Sequence, residues 1–259
     1  MITIRSCEGL DELAACVELQ VETWGYDASE VVPVKSFLLA QKIGGQVIGA
    51  FDVEDGSSRP VERLVGFVFA LPAIHMRNGT PEAYLHSHML AVREEYRNRG
   101  LGAELKKEQR LEALSRGIRY MEWTFDPLEV KNAFLNIHRL GAIVRGYRVN
   151  FYGVSSSRLQ GGLPTDRLIA EWHLDSPRVE AILQGRSVVD HAAEERIVVP
   201  ASIYAWKTCN ADKQRALEVL MENRRKFQEA FSRGLAVFDF VQDAEGNGVF
   251  ELSPFDQLQ

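Results

Sequence analysis

The sequence predicts a mixed α/β protein whose sheet is mostly antiparallel and flanked by helices. Three patterns predict this. Apolar residues recur at helical spacing near the N-terminus. Three long apolar segments, 46–53, 63–74 and 83–92, are then separated by polar or Asn-Gly turns. A short β-rich stretch finally lies between two helix-rich segments.

Residues 2–7 read as a strand, and Leu10, Leu13, Val17, Val21 and Trp24 mark an amphipathic helix over 9–24. Pro33 can open a second helix at its first turn, and Gly44-Gly45 can close it. Gln46–Val53 and Arg63–Ile74 form a predicted hairpin around the turn Glu54-Asp55-Gly56-Ser57-Ser58. Asn78-Gly79 marks the next turn, before a third strand over Ala83–Val92. Gly100 to Arg116 is a helix rich in Leu, Ala, Glu and Lys, closed by Gly117. Ile118–Phe125 is a strand stopped by Asp126-Pro127, Glu129–Leu140 a helix ended by Gly141, and Ala142–Tyr152 β-rich. A helical crossover joins parallel strands, so Ala83–Val92 and Ile118–Phe125 should be parallel neighbours.

The loop Gly153–Thr165, with three serines, three glycines and Pro164, is the best internal boundary. It divides a domain over 1–152 from an α/β extension over 153–259, expected to pack on it. In the extension, Asp166–Leu174 reads as a strand, and Ser176-Pro177 starts a short helix ending at Gly185. Asn210 can cap a long helix running to Arg233. Leu235–Val241 and Val249–Leu252 flank the turn DAEGNG as a hairpin.

Thirty Lys and Arg against 36 Asp and Glu give a net charge of −6, which leaves no cationic excess for a nucleic-acid surface. The longest mostly apolar stretch, Leu64 to Ile74, is 11 residues, far short of the roughly 20 that span a bilayer. The start, MITIRSCEGLDELAAC, lacks a secretory signal's basic and apolar regions. Cys7, Cys16 and Cys209 form no CxxC pair, which argues for small buried hydrophobes in a reducing compartment. The cytoplasm is the expected location, with neither nucleic acid nor membrane as partner.

The informative stretch runs Leu90-Ala91-Val92-Arg93-Glu94-Glu95-Tyr96-Arg97-Asn98-Arg99-Gly100-Leu101-Gly102-Ala103. A strand feeds a tight turn that delivers the chain to a helix N-terminus. Glycines at 100 and 102 let backbone N–H groups approach a ligand, and the first-turn amides and helix dipole favour phosphate. Arg97 and Arg99 add positive charge there. These features describe a pyrophosphate cradle. It is neither a dinucleotide fingerprint nor a P-loop, whose glycine spacings are absent.

Arg97-Asn98-Arg99-Gly100-Leu101-Gly102 after a long strand resembles motif A, [QR]-x-x-G-x-[GA], of the GNAT superfamily of Gcn5-related N-acyltransferases. The resemblance covers roughly residues 1–152. It implies the GNAT acyl-CoA N-acyltransferase fold, with acetyl-CoA or another acyl-CoA as co-substrate. The turn would hold the CoA pyrophosphate on the amides of residues 99 to 104. The strand through Leu90 and Val92 would pair with the pantetheine arm, and Ile118–Phe125 would splay away beside it. Asn132, on the following helix, is a further cofactor candidate. The family often carries an acid tyrosine four residues before a Gly-Phe pair. Here that position is Ile137, and Ala142 replaces the phenylalanine, so Tyr147 and Tyr152 are the alternative phenols.

An ammonium must lose a proton before it attacks a thioester. His86 and His88, at i and i+2 of one strand, share a face, and a histidine titrates near this need. His88 is the imidazole candidate. Glu122 and Asp126 are the competing carboxylates, and Glu122 could instead anchor the acceptor's ammonium. No metal site is expected, because HxH lacks further ligands. The segment Pro164–Trp172 resembles a longer bacterial subgroup of the family with a C-terminal extension. Asp166 and Arg167 could meet an acceptor carboxylate or pair with each other. The extension could cover the acceptor cleft, complete the sheet or form a homodimer interface. The expected activity is acyl transfer to a small-molecule amine such as an amino acid. The alternatives are a protein N-acetyltransferase and a non-catalytic acyl-CoA sensor.

Overall fold

The structure is a computed structural model that describes residues 1–54, 61–77, 79–186 and 192–257. Two compact units emerge, Met1–Glu122 with Ser156–Arg158, and Trp123–Ser155 with Leu159–Gln259. The division falls inside a strand, ahead of the 153–165 loop, and three residues of that loop join the first unit.

In the first unit, β1 (Ile2–Ser6), β2 (Gln46–Glu54), β3 (Val61–Arg77) and β4 (Thr80–Val92) pair antiparallel in that order. β5 (Tyr120–Phe125) lies parallel to β4, with Leu85 opposite Met121 and His86 opposite Glu122, as the helical crossover requires. The expected turn at 55–58 and Asn78 lie outside the described residues. β3 and β4 are longer than their apolar runs because their polar outer ends also pair, from His75 opposite Glu82 to Arg77 opposite Thr80.

Every residue from Leu64 to Ala70 is buried, since helices cover both faces of β3. On one face, α1 (Gly9–Trp24) and α2 (Val34–Lys42) pack Leu13, Leu19 and Phe37 against Phe67 and Phe69. On the other, α3 (Leu101–Ser115) sets Leu101 and Leu105 on Ile48, Val65 and Val68. The face of α1 differs from its apolar spacing. Leu13, Cys16, Leu19 and Gln20 are buried, while Leu10 and Val21 stay exposed. The buried Gln20 explains the choice of face. Its amide accepts from the Val32 N–H (2.9 Å) and donates to the Val32 carbonyl (3.0 Å), tying down the α1–α2 link. Pro33 caps α2 from just outside its first helical position.

A polar group sits beneath β4. Lys106 on α3 is buried, with Nζ 2.9 Å from Ser87 Oγ and 3.1 Å from Gln109 Oε1. Burial holds its ammonium well below the ordinary lysine range.

In the second unit, β6 (Ile143–Arg148), β7 (Arg167–His173), β8 (Glu195–Val199), β9 (Leu235–Gln242) and β10 (Gly248–Pro254) run in the order β7-β6-β9-β10-β8, all antiparallel. The hairpin β9–β10 closes at Asp243, whose carboxylate accepts from the N–H groups of Glu245 and Asn247. β8 and α6 (Ile203–Thr208) have no counterpart in the sequence reading. The expected helix over 129–140 is instead one α-turn, α4 (Val130–Ala133), continued by a π-helical segment, Phe134–Arg139. The Leu140 N–H there reaches back five residues to Leu135. α5 (Pro177–Leu183) has its Ser176 cap as expected. α7 (Lys213–Ser232) starts after Asp212, not Asn210. Phe227 of α7 packs on Tyr147 and Phe250, and Trp172 is buried against Trp123. Cys7 and Cys16 are buried, with sulfurs 3.9 Å apart, but Cys209 is exposed, contrary to expectation.

The depressed Lys106 ammonium sets a stability dependence. A lysine whose folded pKa lies below its unfolded value binds fewer protons when folded, so its contribution to stability rises with pH up to the unfolded pKa. Urea unfolding of wild type between pH 7 and 10 should therefore show a rising component that Lys106→Met removes. Parallel curves for the two proteins would refute it.

Candidate functional site

From Val92 the chain passes Arg93, a single 3₁₀ turn over Glu94–Tyr96, and then Arg97 to Gly100 before α3 begins. Three side chains fix this path. Arg93 Nε donates to the Leu64 carbonyl (2.9 Å), Arg97 Nε to the Val92 carbonyl (2.8 Å), and the Tyr96 hydroxyl to Asp52 (2.7 Å). Asn98 (φ 59°) and Gly100 (φ 84°) are both left-handed. A Cβ at Gly100 would meet nothing within 4 Å, so glycine is needed for its φ while the space beyond stays open.

Gly100 caps α3 without a side chain. The N–H groups of Ala103 and Glu104 turn back to its carbonyl, while those of Leu101 and Gly102 have no partner within the helix. Leu101 and Ala103 are buried beneath, whereas Arg97, Asn98 and Arg99 are exposed. Neither arginine forms an ion pair with a described residue, and the Arg99 guanidinium lies 5.9 Å from the Tyr96 ring centre. Open amides, a helix N-terminus and two guanidinium groups without an ion pair among the described residues meet what a pyrophosphate requires.

β4 leads to this turn. Its ladder with β5 ends at His86–Glu122, yet β4 continues along β3 through half-buried Leu90 and Val92. A bulge interrupts that run. Phe69 faces Met89 and Ala70 faces Ser87, which makes His88 the extra residue. The His88 ring is open to solvent yet crowded by protein atoms, with the Phe69 ring edge-on 6.0 Å away and the His86 ring centre 6.3 Å away. Desolvation first, and then the neighbouring His86, hold its imidazolium below the ordinary histidine range.

Glu122 lies among three donors. Tyr120 Oη is 3.1 Å from Oε2, while Tyr84 Oη and His86 Nδ1 lie 3.4 Å and 3.5 Å from Oε1. The His86 contact above all, with the phenols, holds its carboxyl below the usual range despite burial. His75 stacks on Tyr120 at 5.2 Å and lies tilted against Tyr84 at 5.0 Å. Tyr84, Tyr120 and His75 were not among the sequence candidates. The signal was there in Tyr84, His86, His88 and in Tyr120, Glu122, polar or aromatic residues at alternate positions of two strands.

The remaining candidates lie in the second unit. Tyr147 is buried, and its hydroxyl donates to Asp166 (2.5 Å). Asp166 also takes Arg224 at 2.8 and 3.0 Å and the Asn150 N–H at 3.0 Å. Burial and this carboxylate push the phenol above its ordinary range. Asp166 therefore pairs with Arg224 and not with Arg167. Tyr152 is exposed, its hydroxyl 3.0 Å from Thr124 Oγ1. Asn132 is exposed on α4, and it is Asn136 that is buried. Asp126 is taken up by Lys207 (3.0 Å) and the Leu128 N–H. No group of three or more His, Cys, Asp or Glu among the described residues is placed to hold a metal ion. No helix of the described residues is long and apolar enough to cross a membrane.

Residues 13–136 match the acetyltransferase (GNAT) family. A search of curated proteins gave no match. Among solved structures, the chain resembles the ribosomal-protein-S18-alanine N-acetyltransferase of Escherichia coli at 17% identity and TM-score 0.50, over 68% of this chain and 96% of that one. It also resembles Arabidopsis thaliana NAA60, solved with a bisubstrate analogue, at 19% identity and TM-score 0.50, over 66% and 98%. A third is yncA of Salmonella typhimurium, solved with its cofactor acetyl-CoA, at 19% identity and TM-score 0.50, over 68% and 95%. These likenesses concern the fold, and the family match carries the assignment. Residues 13–136 of the chain form a domain of the GNAT acetyltransferase family.

Proposed function

We propose that the chain transfers an acetyl or other small acyl group from acyl-CoA to the amine of a small molecule, such as an amino acid. The observation that carries this reading is the junction of β4 and α3. Open amides, a glycine with empty space above it and two unpaired arginines there end the strand that carries His88. In this reading the pyrophosphate rests on the amides of residues 99 to 104, and β4 between the bulge and Val92 lines the pantetheine arm.

The reaction is direct attack of the amine on the thioester carbonyl. The C–N bond forms as the C–S bond breaks, the thiolate leaves with the electron pair, and the acceptor's proton passes to a base. No acyl-cysteine intermediate enters this reading, since Cys7 and Cys16 are enclosed in the core and the exposed Cys209 lies outside the turn and its flanking strands. Backbone N–H groups of β4 would polarise the carbonyl. His88 is the base of this reading, because its depressed pKa leaves it unprotonated near neutrality and its ring is accessible. Glu122, occupied by three donors and held as carboxylate, suits an electrostatic role better than proton uptake. The Tyr147 hydroxyl is enclosed with Asp166, which removes it as the acid for the thiolate. Asn132, exposed on α4, is kept as a further cofactor candidate beside the glycine turn.

Gly102 is the cleaner position, since Gly100 needs its positive φ. Gly102→Val should weaken CoA binding by calorimetry at least about tenfold with an unchanged melting temperature, a loss of roughly 1.4 kcal/mol. Equal affinity would remove the turn from the cofactor site.

His88→Ala should lower turnover about 10²–10⁴-fold near neutral pH, the usual worth of a general base. The deficit should shrink as pH rises, because more of the amine is then already deprotonated. Thiol release measured against pH tests this, and an unchanged profile would pass the role to Glu122.

A further inference from the structure

Within the first unit, the face of β4 that carries His86 is rich in groups that attract cations. Glu82, Tyr84 and His86 alternate along the strand, so their side chains project to one side. β3 adds His75, opposite Glu82, and β5 adds Glu122, in register with His86, and Tyr120 two residues before it. The rings of His75, Tyr84 and Tyr120 pack with centres 5.0–5.7 Å apart. Carboxylates flank this cluster, Glu82 at 3.6 Å from His75 Nε2 and Glu122 against both phenols.

Glu122 is only partly satisfied. A carboxylate offers about four acceptor positions. Of its three donors, only the Tyr120 hydroxyl is near, at 3.1 Å, while Tyr84 and His86 stand at 3.4 and 3.5 Å. Its side chain is 26% exposed, and among the described residues no lysine or arginine pairs with it. Lys106 is buried under the opposite face of β4 and bonds Ser87 instead. The His86 contact above all keeps the Glu122 carboxyl below the usual range, so it is charged at neutral pH. A charged, accessible carboxylate beside electron-rich rings is a seat for an ammonium brought by a ligand.

The distance to His88 decides which ammonium that is. The His86 ring stands beside Glu122, and its centre is 6.3 Å from that of His88. His88 lies two residues beyond the register of Glu122, roughly 7 Å along β4 at the usual strand rise. An amine whose proton passes to His88 is therefore out of reach of Glu122, whereas a second cation a few methylenes away on the same molecule is not. We propose that Glu122 is a specificity residue that binds a second cationic group of the acceptor, which makes the preferred acceptor a short diamine. The inference rests on the acyl-transfer reading and narrows it, since an amino acid then fits only where its side chain supplies that cation.

Thiol release from acetyl-CoA by the full chain is measured with putrescine, butylamine and γ-aminobutyrate. These share a chain length and end in a cation, a methyl group and an anion. The expected kcat/KM is at least about tenfold higher for putrescine than for butylamine, the usual scale of a hydrogen bond to a charged group, and lowest for γ-aminobutyrate. In Glu122→Gln the ratio of putrescine to butylamine should fall to near one through a higher KM for putrescine, and Glu122→Asp should keep part of it. Added salt should erode the same preference in wild type, a readout that needs no variant to fold.

No preference for putrescine in wild type overturns the inference. So does a Glu122→Gln enzyme that loses kcat on all three acceptors with the ratio intact, because that is the signature of a general base. If no amine is acylated, the acyl-transfer reading fails by itself, and calorimetry of putrescine against butylamine on wild type and Glu122→Gln with CoA present decides the cation site. Tighter putrescine binding that the variant loses upholds the site, and equal affinities overturn it. Thermal melts of the variants separate these effects from misfolding.

Discussion

Strand β4 is held along its whole length by β3, from Thr80 to Val92, and that pairing decides where the chemistry lies. Because β3 is covered by helices on both faces, its partner cannot shift register without exposing Phe67, Phe69 or Val68. β4 thus delivers Val92 to one fixed point, from which the turn and α3 follow. The single bulge at His88 is the one local freedom in that register. It places an imidazole out of step with the ladder, and Lys106 and Gln109 bond the adjacent Ser87 from the opposite face.

The parts of the fold visible in the sequence are those written in local signals. Alternating or continuous apolar runs, Asn-Gly and Asp-Pro breaks and the Ser176-Pro177 cap each act over a few residues, and the corresponding elements form. The turn of residues 97–102 was legible for the same reason, because glycine between arginines after an apolar run has few other uses. Two left-handed residues confirm that glycine was needed for its backbone at 100, whereas Asn98 achieves the same conformation with a side chain.

What was not legible depends on partners far along the chain. Spacing marked Leu10 and Val21 as core, but Gln20 selects the buried face through a contact twelve residues away. The bulge at His88 arises from a mismatch of β3 against β4 that neither strand shows by itself. Tyr147 looked like a free phenol until Asp166 and Arg224 closed around it, and Arg224 comes from a helix nearly eighty residues later. β8 and α6 are short, and their identity comes from pairing with β10 and packing on α7, which propensity does not register.

The π-helical segment Phe134–Arg139 changes which side chains the helix presents. One widened turn holds an additional residue without lengthening the helix, so every position after it is rotated from where an ordinary α-helix would set it. The Ala142 N–H still finds a carbonyl, that of Asn136. The chain thus enters β6 with its amide paired, while Asn136 is turned inward and Phe134 outward. Helical spacing counted through this segment from either end therefore names the wrong face at the other.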